Sequence, residues 1–162
     1  MTMFLELEGI DGESSDKRHL KEIDVESFSW GASGGRLGFA EGGVKISAPA
    51  EVRDIEFLKA VDRSSPTLYM FLFKSTTIRT AVLTIRKPGK VPIPFLILRF
   101  KNLRIADLST TGGSASGDVP VERLKLGFES VQIEYTPQKP DGTPDGGAVT
   151  ASWNVAENQP SF

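Results

Sequence analysis

Apolar and polar positions alternate along most of this chain. Met3, Leu5 and Leu7 near the start, and Val149, Ala151, Trp153 and Val155 near the end, repeat with period two. That is the spacing of strands with one buried face. Between residues 22 and 30 the apolar set runs Ile23, Val25 and then Phe28, Trp30, so the inward phase passes from odd to even numbers around Glu26 and Ser27. A β-bulge or sharp twist is predicted there. The slip recurs where Leu124, Leu126 and Phe128 give way to Val131, Ile133 and Tyr135. Two long, bent strands predict a curved sheet or barrel. Further strands are predicted at 44–46, 55–61, 80–86 and 95–105, the last apolar on both faces and therefore central or covered. One segment is helical in pattern: Ser65 and Pro66 form an N-cap and N1 pair, and Leu68, Phe71, Leu72 and Ser75 follow at helical spacing, predicting a helix over 66–75. Turn-rich loops are predicted at 9–15, 31–43, 87–90, 110–118 and 137–147. The pattern implies a mainly β fold, a curved-sheet β-barrel or sandwich with one short flanking α-helix.

Length adds that 162 residues suit one domain over 1–162, burying about 69% of the unfolded chain's surface. With 39% hydrophobic and 25% charged residues the composition is that of a soluble globular protein. The net charge of -2 supplies no positive field for nucleic acid or anionic lipid. The longest apolar run, 91–98, contains two prolines and is far short of the roughly 20 residues that span a bilayer, so no membrane insertion is expected. Glu6 and Glu8 stand where an export signal needs an apolar run, which predicts synthesis and folding in the cytosol.

The candidate chemistry is sparse. Having no cysteine and one histidine excludes disulfides, thiolate nucleophiles and Cys- or His-rich metal centres. Ser14, Asp16 and His19 lie close in sequence, but triad members come from separate elements that fix their geometry, so no triad is read there. The glycines from Gly31 to Gly43 have neither a following Gly-Lys-Ser/Thr nor a helix to open, which disfavours nucleotide binding. Glu6, Glu8, Glu22, Asp24 and Glu26 alternate with apolar residues, as on a solvated face. No enzyme, metal or cofactor is expected; the inventory points to a binding or structural role.

The loops carry a resemblance. Gly12-Glu13-Ser14, Asp16-Lys17, His19, Glu22-Ile23-Asp24-Val25 and Ser29-Trp30-Gly31 resemble the amino-terminal signature of the hemolysin-coregulated protein (Hcp) family of type VI secretion. Leu83-Thr84-Ile85-Arg86-Lys87, Ser109-Thr110-Thr111-Gly112-Gly113, Tyr135-Thr136-Pro137-Gln138-Lys139, Asp141-Gly142, Asp145-Gly146-Gly147 and Trp153-Asn154 agree in the same order. The resemblance implies a fold related to phage tail-tube proteins, with homohexameric rings stacked into a tube. It implies as partners a VgrG-type spike, a contractile sheath and effector proteins carried within, and secretion through the type VI system without a signal peptide. Where relatives often have small residues and a Gly-Lys-His run, this helix carries Phe71, Leu72 and Phe73. Within that frame Ser27 and Ser29, alternating with Phe28 and Trp30, are expected to face the lumen and its cargo. Leu37, Gly38 and Phe39 are expected in a glycine-rich loop that mediates ring stacking. The alternative is a monomeric β-sandwich module binding a carbohydrate or protein ligand on Trp30 or Trp153.

Overall fold

The sheet turns its corners at the two phase slips. The structure, a computed structural model, describes residues 1–35, 37–46, 48–88, 92–113 and 119–162, with backbone alone at 37, 39, 40 and 44–46. The chain begins with strands β1 (Thr2–Leu7), β2 (Ile23–Asp24), β3 (Ser27–Ser29) and β4 (Ala32–Ser33), then β5 (Leu37–Ala40), β6 (Gly43–Ile46), β7 (Glu51–Val52) and β8 (Ile55–Ala60). After helix α1 (Ser65–Phe73) come β9 (Ile78–Arg86), β10 (Pro94–Thr111), β11 (Val121–Gly127), β12 (Ser130–Tyr135) and β13 (Val149–Asn154). Among the described residues nine strands share one sheet in the path β2-β1-β9-β10-β11-β8-β3, with the hairpin β12-β13 branching from β10.

The two ends of that path are halves of one bent segment. The Val25 N–H donates to the Met3 carbonyl at 3.1 Å, and the next N–H, that of Glu26, donates to the Leu58 carbonyl at 2.8 Å. Consecutive residues therefore bond β1, next to one end of the path, and β8, next to the other. The expected barrel is realised as a sheet curved back on itself; among the described residues β2 and β3 do not pair with each other. The second slip is a partner exchange. β12 lies along the first part of β10, Lys101 opposite Ser130, and β11 along the second, Arg104 opposite Gly127. Asn102, at φ 50, makes the crease between them and donates from Nδ2 to Glu129 at 2.8 Å; asparagine tolerates this left-handed conformation better than most side chains.

Strands β3 to β8 form a ribbon, of which the glycine-rich part over 31–43 is expected as loop from the sequence. Ser29 pairs with Glu56, Ser33 with Glu51 and Ala40 with Gly43, so β3-β8, β4-β7 and β5-β6 succeed one another with two register slips. The turn is made where Gly42 and Gly43 take φ of 107° and 125°, a region closed to most side chains. The expected loop over 31–43 is thus largely paired strand, with Leu37, Gly38 and Phe39 near its tip. The side chains of Leu37 and Phe39, and the turn-rich stretches at 89–91 and 114–118, lie outside what is described.

Inside the curve Leu5, Ile23, Phe57, Leu83, Phe100 and Leu124 are fully buried. β1 keeps its predicted alternation with Thr2 and Glu6 exposed, except at Phe4, which segment 11–22 covers on the second face. Phe4 is stacked on His19 at 4.4 Å and met by the Arg86 guanidinium at 4.6 Å. Gly12 admits this cover: a Cβ there would sit 2.4 Å from the Glu22 carbonyl oxygen. β13 departs from expectation the other way, with Val149 66% exposed and only its far end, at Trp153 and Asn154, turned inward.

The helix begins one residue early and stops two early. Asp62 accepts the Ser64 N–H at 2.9 Å while Ser65 Oγ accepts the Asp62 N–H at 3.1 Å, a reciprocal arrangement of the capping-box kind. Ser75, at φ 51, ends the helix, with Thr76 N–H bonded back to the Phe71 carbonyl and Ser75 N–H to that of Leu72. No helix among the described residues is long and apolar enough to cross a membrane.

Candidate functional site

The ladder β3-β8-β11-β10 sorts its side chains by row. Cross-strand register places Phe28, Phe57, Leu124 and Leu108 in one inward row and Ile55, Leu126 and Ile105 in another. Period two sends the intervening residues to the opposite face. One outward row reads Ser29, Glu56, Lys125, Asp107, and the next reads Ser27, Leu58, Arg123, Ser109. Ser27, Ser29, Asp107, Ser109 and Arg123 are exposed, while Glu56, Leu58 and Lys125 are half-buried.

Both serines therefore lie opposite the core, and each begins a polar row. Arg123 donates from its guanidinium to Glu56 at 2.9 Å, tying the rows together diagonally. Beside them a hollow of about 440 Å³ is lined by Ser29, Trp30, Glu51, Arg53, Glu56 and Lys125. Trp30 closes its inner wall. The indole ring packs edge-on to Phe100 and Phe128, with centroids 6.4 and 6.2 Å away, and its Nε1–H donates to the Arg53 carbonyl at 2.9 Å. The predicted inward phase of Trp30 thus describes a half-buried ring whose polar edge is used. Trp153 likewise packs against the core.

A second feature escaped the strand pattern. The remaining inward row of the same ladder is Lys59, Glu122 and Thr110. Lys59 Nζ donates to Glu122 at 2.9 Å, to Asp62 at 2.8 Å and to the Ala60 carbonyl at 2.7 Å, with both Lys59 and Glu122 side chains 1% exposed. Ser65 Oγ and Thr110 Oγ1 donate to the two Glu122 oxygens at 2.7 and 3.1 Å, and Tyr69 OH meets Thr110 Oγ1 at 2.7 Å. The network fastens α1 to β8, β11 and β10. A signal for it stood in the sequence: Lys59 shares the phase of Ile55 and Phe57, and Glu122 that of Leu124 and Leu126. Opposite charges in the apolar phases of two strands announce a buried pair.

Ser14, Asp16 and His19 have structural partners of their own. Asp16 receives the Arg86 guanidinium at 2.6 Å and the Arg18 N–H at 2.9 Å, which hold its carboxyl at about 2. His19 Nδ1 lies 2.9 Å from Glu22, whose carboxyl is pushed up by burial against the lowering pull of that contact. Ser14 Oγ accepts the Asp16 N–H at 3.3 Å. These contacts pin segment 11–22 over Phe4. Among the described residues no cluster of three or more His, Cys, Asp or Glu is placed to hold a metal ion.

The family described as "Type VI secretion system effector, Hcp" matches residues 4–135. Protein hcp1 of Pseudomonas aeruginosa is 39% identical over 157 residues, covering 96% of each chain. Hcp1 of Salmonella typhimurium, solved as a crystal structure, is 31% identical and superposes with a TM-score of 0.81 over 99% of this chain and 98% of its own. A structure described as a type six secretion system protein superposes with a TM-score of 0.89 at 25% identity, covering 99% of both chains. By sequence and by fold alike, the chain belongs to the Hcp family of type VI secretion proteins.

Proposed function

We propose that this chain is a structural subunit of the type VI secretion tube. Its residues 1–162 act as one domain, six copies form a ring, and stacked rings form a conduit expelled with effector cargo. The observation that carries the reading is the outward polar face opened by Ser27 and Ser29 on a curved sheet whose inner face buries Phe57, Leu124 and Leu126. Such a face suits the wall of a water-filled bore. The free edge supports it as well. Among the described residues β13 forms a ladder with β12 alone, its far end bridged at Asn154 to Gln159, and at its open end Val149 is 66% exposed beside Tyr135 at 47%. An unpaired edge with apolar side chains invites association, and a closed ring supplies each edge with one defined neighbour.

In this reading the tube ends on a VgrG-type spike and lies inside a contractile sheath. The subunit is made in the cytosol and leaves through the type VI system. It needs no cofactor and performs no catalysis: its lone histidine is engaged with Phe4 and Glu22. The ribbon tip at Leu37, Gly38 and Phe39 makes the ring-to-ring contact. Replacing Leu37 and Phe39 together by Ser leaves rings intact and abolishes tubes; normal tubes from a protein of lowered melting temperature would reject that role. Ser29→Gln retains the ring and weakens cargo retention, and unchanged retention across several effectors would reject the lumen assignment. Electron microscopy tests the whole reading. Annular particles with an axial hole are expected, and solid particles contradict it.

One observation favours the second reading, a monomeric module binding a carbohydrate or protein ligand. A groove of about 350 Å³ runs between Trp30 and Trp153, lined also by Ala32, Val52, Ile133 and Ala151. A monomer that binds such a ligand, and loses it on Trp153→Ala, would select this reading.

A further inference from the structure

Helix α1 is apolar on every side. Leu68 is fully buried, and Phe71 and Leu72 pack on the core. Pro66, Met70 and Phe73 nevertheless form an exposed stripe at i, i+4 and i+7, with Met70 46% and Phe73 72% exposed. A helix that is hydrophobic all round is one that is covered on all sides. Phe73 is also braced: its ring centroid lies 5.9 Å from that of Tyr69, whose hydroxyl meets Thr110 Oγ1 at 2.7 Å. The stripe is an ordered apolar ridge left open on the surface of a single copy.

The same chain carries a groove of matching character. Trp30, Val52, Val131, Ile133, Ala151 and Trp153 enclose about 350 Å³, room for side chains of the size of Met and Phe. Ridge and groove stand apart in the fold. α1 lies past the end of β9, beside the second half of β10, where Tyr69 meets Thr110 and Thr77 Oγ1 accepts from Arg104 Nε at 3.3 Å. The groove opens across β11 and β8, between the base of the ribbon and the β12-β13 hairpin. One copy does not seat its own ridge in its own groove, but neighbours related by a rotation can, and such heterologous contacts close into rings. The charges agree. Residues 63–79 carry Arg63, Lys74 and Arg79 and no carboxylate. The hollow beside the groove, which shares Trp30 and Val52 with it, sets Glu51, Asp54 and Glu56 against Arg53 and Lys125.

We propose that the groove is a socket for a second copy of this chain: Met70 and Phe73 of one subunit seat between Trp30 and Trp153 of the next, with Lys74 turned toward the acidic hollow. The proposal rests on the tube reading for the ring itself and adds which side chains join its neighbours.

The chain has no cysteine, so an engineered pair reports this contact alone. Phe73→Cys with Ala151→Cys, both at exposed positions, is oxidised mildly and its linked chains are counted on denaturing, non-reducing gels, with the mass in solution measured in parallel. Hexamers are expected, with a ladder of linked chains that ends at six, while either single variant gives no more than pairs. Independently, Phe73→Asp should raise the concentration of half-assembly about tenfold or more, as loss of a buried aromatic anchor does, with the circular dichroism spectrum unchanged. Hexamers that yield no ladder beyond that of the single variants overturn the proposal and leave the tube reading intact, as does Phe73→Asp that assembles like the wild type. A ladder that stops at two chains, or one that runs past six, overturns it as well, because the contact then lies in a closed dimer or between rings. A wild type that is monomeric at every concentration removes the ring and this contact together.

Discussion

Lys59→Met removes the cation of the buried pair while keeping most of its length and volume. In the wild type Lys59 Nζ reaches Glu122, Asp62 and the Ala60 carbonyl, and both side chains of the Lys59–Glu122 pair are 1% exposed. After the substitution Glu122 keeps the hydroxyls of Ser65 and Thr110 but loses its counter-charge. Breaking one side of a buried pair costs about 3–5 kcal/mol, because the surviving charge stays out of water. For a chain of this size each kcal/mol lowers the melting temperature by about 2–4 °C, which gives a fall of roughly 10 °C. Lys59→Met with Glu122→Leu removes both charges, and well-packed apolar replacements of a buried pair are often neutral or stabilising. The double variant should therefore recover most of the loss. Thermal and urea denaturation followed by circular dichroism, at one fixed protein concentration, measures both. A single variant within 1 kcal/mol of wild type, or a double variant as unstable as the single, would refute this account of how the helix is fastened.

Three other perturbations have defined outcomes. Asp16 is held at about 2, below its ordinary value of 3.8, by the Arg86 guanidinium and the Arg18 N–H. Its stabilising contribution is complete above about pH 4, the unfolded value, and is lost as the pH falls toward 2, so Asp16→Asn should flatten the fall in stability across that window; an unchanged slope would contradict it. Phe57→Ala empties the centre of the inward row Phe28-Phe57-Leu124-Leu108 and should cost about 3–5 kcal/mol in urea unfolding, with a loss below 1 kcal/mol counting against that packing. Gly12→Ala forces a Cβ to within 2.4 Å of the Glu22 carbonyl oxygen and should cost about 1–3 kcal/mol, while raising hydrogen exchange in segment 11–22; protection equal to wild type would show that the segment packs otherwise.

Period two carried the reading wherever a strand kept one partner on each side. The bends at 25–27 and 127–130 were legible because crossing from one partner strand to another reverses which side chains face the core. The same logic explains what was missed. β10 extends through Thr111, well past Ile105, because the register shift between Ile105 and Asp107 breaks the alternation in mid-strand. Within the ribbon, residues 31–43 read as loop because the tip is rich in glycine and two register slips interrupt the ladder. Alternation alone puts Ser27 and Ser29 on the outward side, and cross-strand register joins to them Glu56, Arg123, Lys125 and Asp107, which no local pattern connects. Register between distant strands is set by packing of the whole sheet, so residues 27, 56, 107 and 125 meet only in the fold.

The central claim is the ring, and the mass of the protein in solution tests it most directly. Light scattering coupled to size-exclusion chromatography, run across a hundredfold range of concentration, should give a single species near six times the chain mass of 17.6 kDa. A mass of one chain that persists at the highest concentration would contradict it.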